Sequence, residues 1–260
     1  MKVIVLLSLF LFALSNRAVN KKETAQLKKV PPFEVYEPEE NKFRDWTDEE
    51  LEQVFAAKKP SRHSFHLRKK TANKITPKSR NPQPHWDFRQ AHPECMHPVR
   101  DQVKCAAGIL FAATTALEQT MCFKSNSTVN MLLSVQQKLS CDDKLLKCTK
   151  QPTWEDTAYF FGNIGLVEES CFPFTSQDAT VEECVSECKD GQEWKVHKVL
   201  AWNLPEQPSD IKYLLPDYGP FWNEFDLYED FLNYKAGIYQ HVSGEQIGKH
   251  GANIIGYGFE

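Results

Sequence analysis

The run Asp101-Gln102-Val103-Lys104-Cys105-Ala106-Ala107-Gly108-Ile109-Leu110-Phe111-Ala112-Ala113 changes character at Gly108. Before that glycine, polar and charged residues lead to a single cysteine. From 108 to 121 the chain is rich in Ala, Leu, Ile and Phe, contains no proline, and is apolar almost all round the helical circumference. That pattern predicts a buried helix. Residues 134–139 and 153–162 predict further helices. From Trp194 the texture changes, and the short apolar stretches 194–202, 219–227, 237–242 and 252–258 lie between turn residues and predict strands. A short helix is expected over 226–234. A helical half followed by a sheet half is an α+β arrangement.

The chain has 260 residues, 41% of them apolar and 25% charged, enough for a substantial core. Its net charge of −4 argues against a general nucleic-acid binder, whose phosphate partner rewards a basic surface. Lys2, the apolar run 3–14 broken only by Ser8, and the small residues of Ala13-Leu14-Ser15 predict a secretory signal peptide over residues 1–15. No apolar run reaches the roughly 18 residues that cross a bilayer. An oxidising compartment makes the eight cysteines an expected four disulfides. Eight cysteines allow about a hundred pairings, and spacing alone does not choose among them. Asn126-Ser127-Thr128 is the one N-glycosylation sequon, with Asn126 as acceptor.

Residues 16–81 differ from the rest. Eight acidic residues fall within 37–52, and Thr47-Asp48-Glu49-Glu50 is a capping-box pattern ahead of the apolar stripe Leu51, Val54 and Phe55. One amphipathic helix of two to three turns is expected there. Residues 58–80 carry nine Lys/Arg and no acid, which reads as a solvated linker. Opposite charges in adjacent blocks suit a detachable segment that lies across a surface. The globular body begins near Pro84.

Several segments, in order, resemble the papain family of cysteine proteases, and cathepsin B-like members in particular. Residues 101–109 are similar to the family's active-site segment. Phe88-Arg89 with Pro93-Glu94-Cys95 resembles the start of the mature enzymes, and 134–141 resembles their second helix. Cys171-Phe172-Pro173-Phe174, Cys184-Val185-Ser186-Glu187-Cys188, residues 234–245 and residues 248–258 extend the likeness, and Asn41-Lys42-Phe43-Arg44-Asp45-Trp46-Thr47 resembles the end of an inhibitory propeptide. The resemblance implies a two-lobed α+β fold: a helical left lobe around a buried central helix, and a right lobe that is an incomplete β-barrel. It implies a propeptide-like segment over 16–81 and a peptidase domain over 82–260, truncated because the sequence stops two residues past Gly258. It also implies the pairings Cys95–Cys122, Cys105–Cys148, Cys141–Cys184 and Cys171–Cys188.

In the family a thiolate at the N-terminus of the central helix, stabilised by the helix dipole and a histidinium, attacks a peptide carbonyl. The resemblance places Gly108 at that nucleophile position, Gln102 at the oxyanion-hole position and His250 at the general-base position. Glycine carries no side chain, so the nucleophile is lost. Lys249 beside His250 disfavours imidazolium. Ile109 replaces a tryptophan, and Lys150-Gln151 stands where a glycine pair would meet substrate, so side chains there are expected to crowd an extended peptide. Cys105 is the nearest thiol but lies three residues away. The histidines make no zinc-ligand spacing with the cysteines, so no metal and no cofactor are expected. The expected function is a catalytically inactive cathepsin B-like homologue of the secretory pathway, extracellular or in a lysosome-like vacuole. Its residual role is to bind a peptide or protein, with a protease inhibitor or an active paralogue among the candidates. It is expected to be a monomer without a membrane span. The alternative is a cysteine endopeptidase represented by an incomplete or damaged sequence.

Overall fold

The computed structural model describes residue 27 and residues 33–55, 72–75, 83–142, 147–199, 202–205 and 207–259. The signal-peptide reading of residues 1–15 and most of the basic linker lie outside the described residues. In chain order the strands are β1 (Phe33–Val35), β2 (Ala72–Ile75), β3 (Trp86–Asp87), β4 (Trp202–Pro205), β5 (Phe221–Tyr228), β6 (Tyr234–Gly237), β7 (Gln246–Ile254) and β8 (Gly256–Tyr257). The α-helices are α1 (Asp48–Phe55), α2 (Phe88–Ala91), α3 (Gly108–Lys124), α4 (Val135–Cys141), α5 (Trp154–Asn163) and α6 (Ile211–Tyr218). The fold is α+β. The described strands form four two-stranded sheets, β1 with β6, β2 with β4, β3 with β8 and β5 with β7, and among them no barrel closes.

The chain divides into two compact units, one of Met1–Leu51 with Tyr228–Gln246, the other of Glu52–Leu227 with Ile247–Glu260. In the first, β1 and β6 pair antiparallel. Asn41 is buried and donates to the Leu232 carbonyl at 2.9 Å. The capping box forms as its sequence pattern requires: the Thr47 N–H donates to Glu50 Oε2 at 3.0 Å, and the Glu50 N–H donates to Thr47 Oγ1 at 3.2 Å. The stretch 237–242 departs from the expected strand. Only Gly237 belongs to β6. Beyond it the chain wraps the buried Asp230 carboxylate, which accepts from the Tyr239 hydroxyl at 2.6 Å and from the N–H groups of Val242 and Ser243 at 2.7 and 3.1 Å. Those amides bond to a carboxylate instead of a neighbouring strand.

The second unit is organised around α3. One side of the helix places Leu110 and Phe111 against Val135 and Leu139 of α4 and the Cys105–Cys148 pair. Ala113 packs with Leu133, Phe160, Phe161 and Leu166. A helix enclosed on several sides must be apolar on several sides, which is why its sequence lacks a polar face. Ser134 and Thr153 cap α4 and α5, their hydroxyls accepting the Gln137 and Asp156 N–H groups at 3.0 and 3.2 Å. The disulfides are Cys95–Cys122, Cys105–Cys148, Cys141–Cys184 and Cys171–Cys188, closing separations of 17 to 43 residues. In the chain-entropy account each such closure contributes about 3–4 kcal/mol. Helix α6 has no counterpart in the sequence reading, because Pro216 inside it is the usual sign of a helix break.

Glu118 is a buried carboxyl on α3, held by the Arg100 guanidinium at 2.9 Å and the Leu133 N–H at 2.7 Å. Burial pushes it up to about 7, against the opposing pull of Arg100. A carboxyl raised on folding contributes stability that is complete below its unfolded value near 4.5 and is lost as pH rises through about 7. Thermal unfolding should therefore show a falling midpoint between pH 5 and 8, and Glu118→Gln should flatten that slope.

Candidate active site

The approach to α3 is a tight turn under strain. Val103 has φ of +49°, a left-handed conformation that a β-branched residue rarely adopts. Local bonds hold it there. Asp101 Oδ1 accepts the Val103 N–H at 2.9 Å, and the Cys105 N–H donates to the Gln102 carbonyl at 3.1 Å. The Ala106 N–H donates to the Cys148 carbonyl at 3.1 Å, beside the Cys105–Cys148 disulfide. This framework fixes where α3 starts and aims the Gln102 side chain at that start.

Strand β7 passes the same point. A Cβ at Gly251 would lie 2.7 Å from Ile109 Cα, so only glycine lets the strand come this close. The preceding residue, His250, lies against Gly108. A Cβ built on Gly108 would sit 2.3 Å from His250 Cε1, 2.5 Å from His250 Nδ1 and 2.6 Å from Gln102 Oε1. The structure thus gathers Gln102, Gly108 and His250 at the head of α3, with the His250 and Gln102 side chains occupying the space that a side chain at 108 would need. The His250 ring is flanked edge-on by Phe55 at 5.8 Å and Phe225 at 5.9 Å. Gln102 Oε1 is buried without a hydrogen-bond partner among the described residues.

All eight cysteines are in disulfides, and Cys105 is held by Cys148, so the site contains no thiol. The Lys249 ammonium is directed to Asp226 Oδ1 at 3.5 Å. As the strand neighbour of His250 it projects to the opposite face. Gln151 does not stand clear in the groove. It is fully buried, its Oε1 accepting the Ile109 N–H at 3.0 Å and its Nε2 donating to the Val54 carbonyl at 2.9 Å. What sequence reasoning missed is the burial of Gln151 with both amide ends engaged and the packing of Phe55 and Phe225 on His250. Phe55 was visible only as the end of an apolar stripe. Phe225 lay within a stretch read as a strand, with nothing to tie it to His250. Asn126 is exposed in the turn that follows α3. Among the described residues no cluster of His, Cys, Asp and Glu suits a metal ion, and no helix is long and apolar enough to cross a membrane.

Residues 82–260 match the pattern of the papain family cysteine proteases. The chain belongs to that family. Among its relatives, cathepsin B-like CP3 of Giardia intestinalis is 28% identical over 179 residues, which is 66% of this chain and 58% of that protein. Cathepsin B-like cysteine proteinase 3 of Caenorhabditis elegans is 27% identical over 199 residues, 67% of this chain and 54% of that protein. The chain therefore spans a little over half the length of these cathepsin B-like relatives. Among solved structures, proCathepsin B S9 from Trypanosoma congolense superposes with a TM-score of 0.82 at 18% identity, covering 94% of this chain and 85% of that one. The proform of Amb a 11, a ragweed pollen cysteine protease, gives 0.65 at 20% identity over 92% of this chain and 71% of that one. The fold is papain-like.

Glycine adopts a positive φ without steric cost. Val103→Gly should relieve the left-handed strain and, net of glycine's entropy in the unfolded chain, stabilise the protein by about 1 kcal/mol. That corresponds to an unfolding midpoint roughly 2–4 °C higher by calorimetry. An unchanged or lower midpoint would show that the turn is not strained.

Proposed function

We propose that this chain is a catalytically inactive, cathepsin B-like homologue made for the secretory pathway, whose remaining role is to bind a peptide or protein. The observation that carries this reading is the head of α3. Gly108 stands at the family's nucleophile position, and the ring of His250 and the amide of Gln102 have closed over it. Acyl-enzyme formation needs an attacking atom, and none is available there. Gln102 and His250 remain as the oxyanion-hole and general-base positions without a thiol to serve. The domain limits that fit this reading are a signal peptide over 1–15, a propeptide-like segment over 16–81 and a peptidase-like domain over 82–260. Four disulfides suit an oxidising lumen, which leads to the extracellular space or a lysosome-like vacuole. The protein is proposed to act as a monomer and without a cofactor.

Purified protein should leave fluorogenic dipeptide and protein substrates at background hydrolysis from pH 4 to 8. Gly108→Cys alone should not restore turnover, because the new side chain meets His250, itself wedged between two aromatic rings. Thiol-sensitive hydrolysis by the wild type would overturn the proposal. Passage through the secretory pathway should load a glycan on Asn126. The mass lost on enzymatic deglycosylation should be absent in Asn126→Gln, and a wild type that loses no mass on deglycosylation would count against that route.

A further inference from the structure

Gln151 has a geometry that catalysis does not explain. Its side chain is wholly buried and uses both ends of its amide. Oε1 takes the Ile109 N–H in the first turn of α3, one of the amides that a helix leaves without an internal partner. This bond fixes the rotamer and leaves Nε2 pointing away from the helix, where it donates to the Val54 carbonyl at 2.9 Å. Val54 and Phe55 are 1% and 5% exposed. The Phe55 carbonyl lies so close to β7 that a Cβ at Gly248 would be 2.0 Å from its oxygen, and the Phe55 ring stands edge-on to His250. Residues 54–55 are therefore held from two sides, by Gln151 and by β7, over the relic site.

We propose that residues 52–55 are a permanent occupant of this groove, and that Gln151 is the positioning residue that fixes them. The proposal rests on the reading of the chain as inactive, because an enzyme would have to vacate the same groove to turn over substrate. The Phe55 ring of the segment packs edge-on against His250, and the Val54 carbonyl satisfies the outward amide of Gln151. Any outside partner then meets a surface that includes this segment.

The test uses the full chain with a site-specific protease sequence in place of residues 61–66, so that one cut frees the N-terminal segment covalently. The cut wild type should keep the segment through gel filtration. Gln151→Glu keeps an acceptor for the Ile109 N–H and loses the donor to Val54, and the helix N-terminus favours its anion. The variant should release the segment at least about tenfold faster, the change expected when one buried hydrogen bond is lost. The Ile109 amide should stay protected from hydrogen exchange. Release as slow as in the wild type, or loss of Ile109 protection together with the segment, would overturn the proposal. If Gln151→Glu does not fold, Gln151→Met, with similar volume and no amide, gives the same comparison of release rates. Peptide hydrolysis by the uncut wild type would strike at the functional reading, while fragment retention reports on the clamp separately.

Discussion

The Cys105–Cys148 disulfide and the turn it anchors determine where the central helix begins. That one covalent link sits in the same apolar cluster as Ala107, Leu110, Phe111, Val135 and Leu139, so the loop ahead of the helix moves only if the core moves. Gln102, Gly108 and Ile109 inherit their positions from it. Gln151 lies three residues beyond Cys148, on the other side of the same link. The disulfide thus locates both the amide that Gln151 accepts and the chain that carries Gln151. A strained Val103 is tolerated because its surroundings over-determine it.

Such a frame separates stability from chemistry. The core around the central helix, the capped helices and the four disulfides need no catalytic side chain to persist. Position 108 is a glycine, and neighbouring side chains take up the space that a side chain there would need. His250 and Gln102 have done so, and Phe55 and Phe225 close around the imidazole. A thiol introduced at position 108 would have to undo that packing, which is a steeper requirement than a single codon change implies.

The fold class was legible because its signals are short-range and strong. A helix without a polar face, the helices that begin near 134 and 153, and a reciprocal Thr47–Glu50 box each follow from a few consecutive residues. Residues 237–242 were misread because a buried aspartate, distant in sequence from the amides it collects, replaced a strand partner. Helix α6 was missed because Pro216 argues locally against the conformation that packing of Leu214 and Leu215 sustains. At the site, Gly108 and His250 stood out through their motifs. Gln151 was noticed as a bulky substitute, and its burial, with both amide ends engaged, was not foreseeable. A side chain that bridges residues 42 and 97 positions away leaves no periodic trace in sequence.

The claim on which the account turns is that no thiol is available to the site. Alkylation of the denatured, unreduced protein followed by intact mass measures this directly. The account predicts no added groups before reduction and eight after it, one for each cysteine of the chain. Even one group incorporated before reduction would reveal a free cysteine and contradict it.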